Sequence, residues 1–235
     1  MRKLSIAAGI LLILAAAAGL AFQQWRGAGE PAQTVADATP QMSPDEVAKD
    51  EMLLAAADQP QISPDDRILG SADAPITIIE YASLTCPHCA AFATQTLPQV
   101  KSAYIDQGLA RLVYRDFPLD RVALKGSLLA RCVPNERYFA MIDVLFHSQG
   151  EWARADDPVA ALAQIGRTAG LDQATIDKCL NDEAETDKII AEIQAAQDEF
   201  QIDSTPTLII NGVKHPGALS FEQLETIFKD LLPKS

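Results

Sequence analysis

An α/β fold with an inserted all-helical region is predicted by three features of this 235-residue sequence. First, the β-branched run Ile76-Thr77-Ile78-Ile79 leads through Glu80 and Tyr81 to Cys86-Pro87-His88-Cys89. Helix-favouring residues from Ala90 to Gln95 follow, so a strand delivers a cysteine pair to the start of a helix. Second, strand-like segments recur at Ala110 to Arg115 and at Thr207 to Val213, the latter closed by an Asn211-Gly212 turn. Third, residues from about 120 to 200 carry helical periodicity almost throughout.

Composition sets the outer limits. With 48% hydrophobic and 22% charged residues the chain is globular and long enough for one domain with an insertion. A formal net charge of −13 argues against nucleic acid or anionic lipid as a partner. Arg2 and Lys3 precede an apolar run from Leu4 to Phe22, the pattern of an export segment, so residues 1–26 are expected to be a signal peptide or an uncleaved signal anchor. Ala16-x-Ala18 offers a cleavage motif, while the length of the run suits a membrane span. Residues 27–60, rich in Ala, Gln, Pro, Asp and Gly, read as a flexible linker, within which Ser43-Pro44-Asp45-Glu46 could start a short helix through Ala57. Residues 61–235 form the expected domain.

Leu69 to Pro75 reads as a turn into the central strand. There Ile76, Ile78 and Glu80 share one face and Thr77, Ile79 and Tyr81 the other, which aligns Glu80 with apolar neighbours. A carboxyl buried near the cysteine pair would have a raised pKa and could exchange protons with Cys89, a reading preferred over a strand-end Glu reaching solvent. The helix after the cysteines should kink at Pro98, resume through Ile105 and end at Gly108. The strand from Ala110 then lies parallel to the first through a right-handed crossover. In the helical region Tyr138, Phe139, Ile142, Leu145 and Phe146 share a face, Asp157-Pro158 and Asp172 mark helix starts, and Glu183 to Phe200 is one long helix. Cys132 and Cys179 lie in different helices of this region, where they are either a structural disulfide or two buried thiols. Pro206 lacks a ladder donor, so Thr205-Pro206 belongs at a sheet edge or a special turn. Ser220 and Gln223 form a capping box for a final helix that presents Phe221, Leu224, Ile227, Phe228 and Leu231 to the sheet.

The chemistry is concentrated in Cys86-Pro87-His88-Cys89. Pro87 suits a first helical turn, and Cys86 at the helix N-terminus meets unpaired N–H groups that favour a thiolate. Cys86 is therefore the candidate nucleophile, and Cys89, one turn on, resolves the mixed disulfide it forms. His88 can donate a hydrogen bond to the thiolate or place positive charge near it. A zinc site would need a second Cys/His pair, which the sequence lacks, and covalent haem attachment would need His where Ala90 stands. No metal and no organic cofactor is expected.

These residues together resemble the DsbA family of periplasmic disulfide oxidoreductases over roughly Ile62 to Leu232, looking more loosely like its alphaproteobacterial subset in Cys132 and Cys179. The resemblance implies a thioredoxin-like fold, with Cys86 as the exposed attacking cysteine and Cys89 as the buried resolving one. It also implies that His88 tunes the pair, that Glu80 is a buried acid, and that the Thr205–Pro206 bond is cis and turns the Thr205 backbone toward substrate. Thr205 departs from the Val often found in strongly oxidising members and resembles the isomerases and reductases. The Pro87-His88 dipeptide resembles the oxidases, and nothing resembles the dimerisation domain of DsbC-type isomerases. The expected function is thus disulfide donation to reduced or unfolded substrate proteins by a periplasmic monomer, reoxidised by a membrane partner of the DsbB or VKOR type. The alternatives are a reductase or isomerase kept reduced by a DsbD-like partner, and a non-catalytic copper-binding or chaperone module.

Overall fold

The computed structural model describes residues 62–232. The expected signal segment, linker and short helix at Ser43 lie outside the described residues.

A five-stranded mixed sheet has the order β1-β3-β2-β4-β5. Its strands are β1 (Arg67–Gly70), β2 (Ile76–Ala82), β3 (Ala110–Asp116), β4 (Thr207–Ile210) and β5 (Val213–Pro216). β2 and β3 are parallel, in the register Ile76↔Ala110 to Ala82↔Asp116, and the other pairs are antiparallel. The crossover between β2 and β3 is a helical run of α1 (Pro87–Ala91), a wider π-type stretch (Phe92–Thr96), α2 (Leu97–Val100) and a second π-type stretch (Lys101–Ile105). Pro98, which cannot donate to the carbonyl one turn back, sits in α2 between the two widened stretches.

One expectation is corrected. Leu69 and Gly70 are not only a turn: they end the edge strand β1, antiparallel to β3. The strand is four residues long and alternates half-buried with exposed positions, too short a pattern to stand out beside the turn signals Gly70, Asp73 and Pro75. Gly70 has φ +108°, and a Cβ there would lie 2.8 Å from Ile105 Cγ2 and 2.9 Å from the Ala110 carbonyl oxygen, so both the backbone angle and the close approach require glycine.

The insertion between β3 and β4 contains α3 (Arg121–Arg131), α4 (Asn135–His147), α5 (Gln149–Trp152), α6 (Pro158–Thr168), α7 (Gln173–Leu180) and α8 (Glu183–Phe200). Four of these starts are capped by aspartate side chains that accept a backbone N–H three residues on: Asp120, Asp157, Asp172 and Asp182. The turn Asn211-Gly212 has φ of 44° and 87°, the left-handed pair a tight hairpin needs. The closing helix α9 (Phe221–Leu231) begins with the Ser220/Gln223 capping box.

Both sheet faces are covered. Ile76, Ile78, Leu112, Leu208 and Ile210 pack with Phe92 of the crossover and with Leu224 and Phe228 of α9. On the opposite face Ile79, Tyr81, Val113 and Ile209 pack against Ala196 of α8 and Ile202. The largest cluster joins Ala82, Leu84, Cys86, Cys89 and Tyr114 to Leu129, Tyr138, Leu145, Trp152 and Ile176 of the insertion. The cysteine pair thus lies where the sheet meets the helical insertion.

Two further ties fix that seam. Asp116, 2% exposed, accepts from Ser127 Oγ and forms an ion pair with Arg131 Nε at 2.8 Å; Arg131 also reaches Glu185 at 2.9 Å and Glu192 at 2.6 Å. Cys132 and Cys179 are bonded as a disulfide, with Cα atoms 6.0 Å apart, joining the end of α3 to α7.

Candidate redox site

Cys86 occupies the N-cap of α1 with extended backbone angles (φ −77°, ψ 120°), Pro87 is the first helical residue, and the Cys86 carbonyl accepts from Ala90 N at 3.1 Å. Both cysteines are free thiols. The Cys86 thiolate is favoured first by a hydrogen bond from the Cys89 thiol, then by the Thr205 side chain and the main-chain N–H groups of Cys89 and His88, which outweigh the opposing effect of burial and bring its pKa down to about 5. Cys89 is fully buried, and its pKa is pushed far above the ordinary thiol range, first by burial, then by the hydrogen bond it donates to Cys86 and by the nearby Glu80 charge. The two thiols are thereby split into one that ionises readily and one that holds its proton.

Exposure at Cys86 is lower than expected for an attacking cysteine, at 7%. The cause is its packing: Sγ lies 3.3 Å from the Thr205 carbonyl oxygen, to which the protonated thiol can donate. The Thr205–Pro206 bond is cis, and Gly217 N donates to the Pro206 carbonyl at 2.8 Å, which holds the turn before β4. β4 lies between β2 and β5, so Pro206 stands at a special turn and not at a sheet edge. The Thr205 hydroxyl is buried with no other protein partner, and it adds to the stabilisation of the Cys86 thiolate.

His88 is exposed, and its main-chain N–H favours the Cys86 thiolate. Glu80 is 1% exposed on β2, with Oε1 lacking any partner. Burial first, and then the Cys86 charge, raises its pKa to about 8. Cys86, Cys89, Glu80, Thr205 and Pro206 are therefore brought to one place, with His88 at its outer rim.

Sequence reasoning missed the residues that hold the loop before Cys86. Gln149 Nε2 donates to the carbonyls of Leu84 at 2.9 Å and Cys86 at 3.0 Å, and Thr85 Oγ1 donates to Asp120 Oδ2 at 2.7 Å. A single polar residue in a helical region gives no periodic signal, so only Asp120, as a helix cap, was open to discovery.

The family profile described as Thioredoxin matches residues 62–230. The crystal structure of Wolbachia pipientis alpha-DsbA1 superposes with a TM-score of 0.68 at 33% identity, covering 72% of this chain and 92% of that one. The chain belongs to the DsbA family. A crystal structure from Novosphingobium aromaticivorans, named a protein-disulfide isomerase, is 25% identical over 72% of this chain and 99% of its own, with a TM-score of 0.63. A Rickettsia bellii relative named as a protein-disulfide oxidoreductase is 32% identical over 155 residues, 66% of this chain. The match spans 60% of the length of that curated relative. Among the described residues no helix of this DsbA-family chain is long and apolar enough to cross a membrane.

Proposed function

We propose that this DsbA-family chain is an exported thiol:disulfide oxidoreductase that introduces disulfides into reduced substrate proteins. The observation that carries this reading is the split between the two thiols, with Cys86 favoured as thiolate and Cys89 as thiol. A stabilised Cys86 thiolate is a good leaving group and favours the reduced dithiol, which makes the Cys86–Cys89 disulfide an oxidant.

In the first step a substrate thiolate attacks Cys86 Sγ of the oxidised protein. The Cys86–Cys89 bond breaks, and Cys89 leaves with the electron pair and takes a proton, for which protonated Glu80 is the donor. A second substrate thiolate attacks the substrate sulfur of the mixed disulfide, and Cys86 leaves as its thiolate. The substrate has lost two electrons and the dithiol has gained them. The Thr205 main chain beside Cys86 offers an extended substrate segment a backbone partner. Reoxidation falls to a membrane partner of the DsbB or VKOR type, and residues 1–26 place the monomeric protein in the periplasm, cleaved or anchored, with residues 27–60 as spacer. Cys132–Cys179 serves as a structural disulfide.

Thr205 and the similarity to a protein named as an isomerase support a second reading, in which the same site reduces or reshuffles disulfides. The reduction potential of the Cys86–Cys89 pair in glutathione buffers separates the two. A potential well above −180 mV, about that of protein disulfide isomerase, supports the oxidase, and one near −270 mV, about that of thioredoxin, supports the reductase. Loss of substrate oxidation in Cys86→Ser is expected; oxidation at an unchanged rate would remove Cys86 from the mechanism.

A further inference from the structure

The Cys86–Pro87 peptide has no N–H, so its carbonyl is the only polar handle by which the protein can fix its plane. That plane sets ψ of Cys86, and with it the placement of Sγ over the main-chain N–H groups of His88 and Cys89. The carbonyl is held from two directions: Ala90 N donates to it within the helix, and Gln149 Nε2 donates to it from the insertion at 3.0 Å. The same amide nitrogen donates to the Leu84 carbonyl at 2.9 Å, so one side chain locks the peptide planes on both sides of Thr85–Cys86.

Gln149 is itself well anchored. It opens the short helix α5, whose Trp152 is 1% exposed and donates from Nε1 to the Leu145 carbonyl at 2.7 Å. Leu84, fully buried, packs where a Cβ on Gly126 would come within 3.0 Å of its Cδ1 and 3.3 Å of Trp152. On the other side of the loop, Thr85 Oγ1 bonds Asp120, the cap of α3, and Ser83 Oγ. The segment Ser83 to Cys86 is thus gripped by the insertion at α3 and at α5, and the only one of these contacts that reaches the nucleophile's own peptide is made by Gln149.

We infer that Gln149 is a positioning residue for Cys86, by which the helical insertion sets the ease with which the dithiol ionises and is reduced. The inference rests on the exchange reading above in taking Cys86 as the nucleophile, but it concerns the free protein and holds for either direction of electron flow.

The test compares wild type, Gln149→Leu and Gln149→Lys in the described domain with its natural N-terminal residues retained. Leu keeps the bulk and removes both donors; Lys keeps donors that can reach the carbonyls. Thiolate absorbance at 240 nm against pH in the reduced protein is expected to show the Cys86 midpoint raised by about one pH unit in Gln149→Leu, and the equilibrium constant for oxidising glutathione lowered about tenfold. Gln149→Lys is expected to restore a midpoint at or below wild type. A midpoint and an equilibrium constant that do not move in Gln149→Leu would overturn the inference, as would an equal rise in both variants, which marks a merely structural role. Thermal unfolding of the oxidised proteins shows that the variants are folded; should Gln149→Leu fail to fold, the same titration on the uncharged Gln149→Met decides, with a raised Cys86 midpoint expected. Absence of substrate turnover in wild type would sink the exchange reading and leave this titration intact.

Discussion

Glu80 and Tyr114 are partners across the parallel β2–β3 ladder, both no more than 3% exposed and each with an oxygen that no protein group bonds. Orphan buried oxygens are costly, and they persist in native proteins where bound water or a functional role compensates. Here Tyr114 lies in the cluster that contains Cys89, and the Glu80 charge is felt by Cys89. For Glu80 the cost has a definite pH signature. Its folded pKa, about 8, stands above the ordinary 4.5, so below pH 4.5 the group is protonated in both states and costs no ionisation energy. As pH rises from 4.5 to 8 the unfolded state ionises and the folded state does not, so stability falls, and it levels off above 8. Glu80→Gln should therefore match wild type at pH 4 and be more stable by on the order of 5 kcal/mol at pH 8.5. Urea unfolding of the proteins with Cys86 and Cys89 reduced across this range checks it, and a difference independent of pH would contradict a buried, neutral Glu80.

The Cys86 thiolate gives a second pH signature with the opposite sign. Its folded pKa is lowered to about 5 from 9, so the stability it lends the reduced protein is fully present above pH 9 and is lost as pH falls toward 5. The iodoacetamide reaction of reduced protein should follow a single midpoint near pH 5, with Cys89 unmodified throughout. Peptide mapping assigns the site, and a midpoint near 9 would show that the helix end does not favour the anion.

Arg131 closes the seam between β3, α3 and α8. Arg131→Met should cost about 3–5 kcal/mol, because it leaves Asp116, 2% exposed, as a buried carboxylate without its countercharge. The double variant Asp116→Asn with Arg131→Met should recover part of that loss. Guanidinium unfolding of these two, of Asp116→Asn alone and of wild type completes a mutant cycle that gives the coupling.

The Cys132–Cys179 disulfide closes a loop with a sequence separation of 47. Loop entropy predicts a loss of about 4 kcal/mol in the double Cys→Ala variant, through a less restricted unfolded chain. Chemical denaturation measures it, and thiol counting on the unfolded, oxidised wild type should give no free thiols among the four cysteines.

Much of this protein is determined by local sequence. The strand-to-helix junction at Cys86, the aspartate-capped helices, the Asn211-Gly212 hairpin and the Ser220/Gln223 box each announce themselves, because β-branching, capping side chains and positive-φ turns act between neighbours in the chain. The alternation from Ile76 to Tyr81 likewise put Glu80 on the apolar face it occupies. What the chain alone left open depends on residues far apart meeting. Burial of Glu80 is decided by its place in a central strand between Tyr114 of β3 and Leu208 of β4, and the shielding of Cys86 by a carbonyl 119 positions away. β1 owes its existence to pairing with β3, the union of Cys132 with Cys179 to the packing of α3 beside α7, and the grip of Gln149 to the seating of α5 against the loop before Cys86. Desolvation and long-range hydrogen bonds are properties of the packed molecule, so the cysteines were legible in the sequence while the groups that tune and hold them were decided only by the tertiary structure.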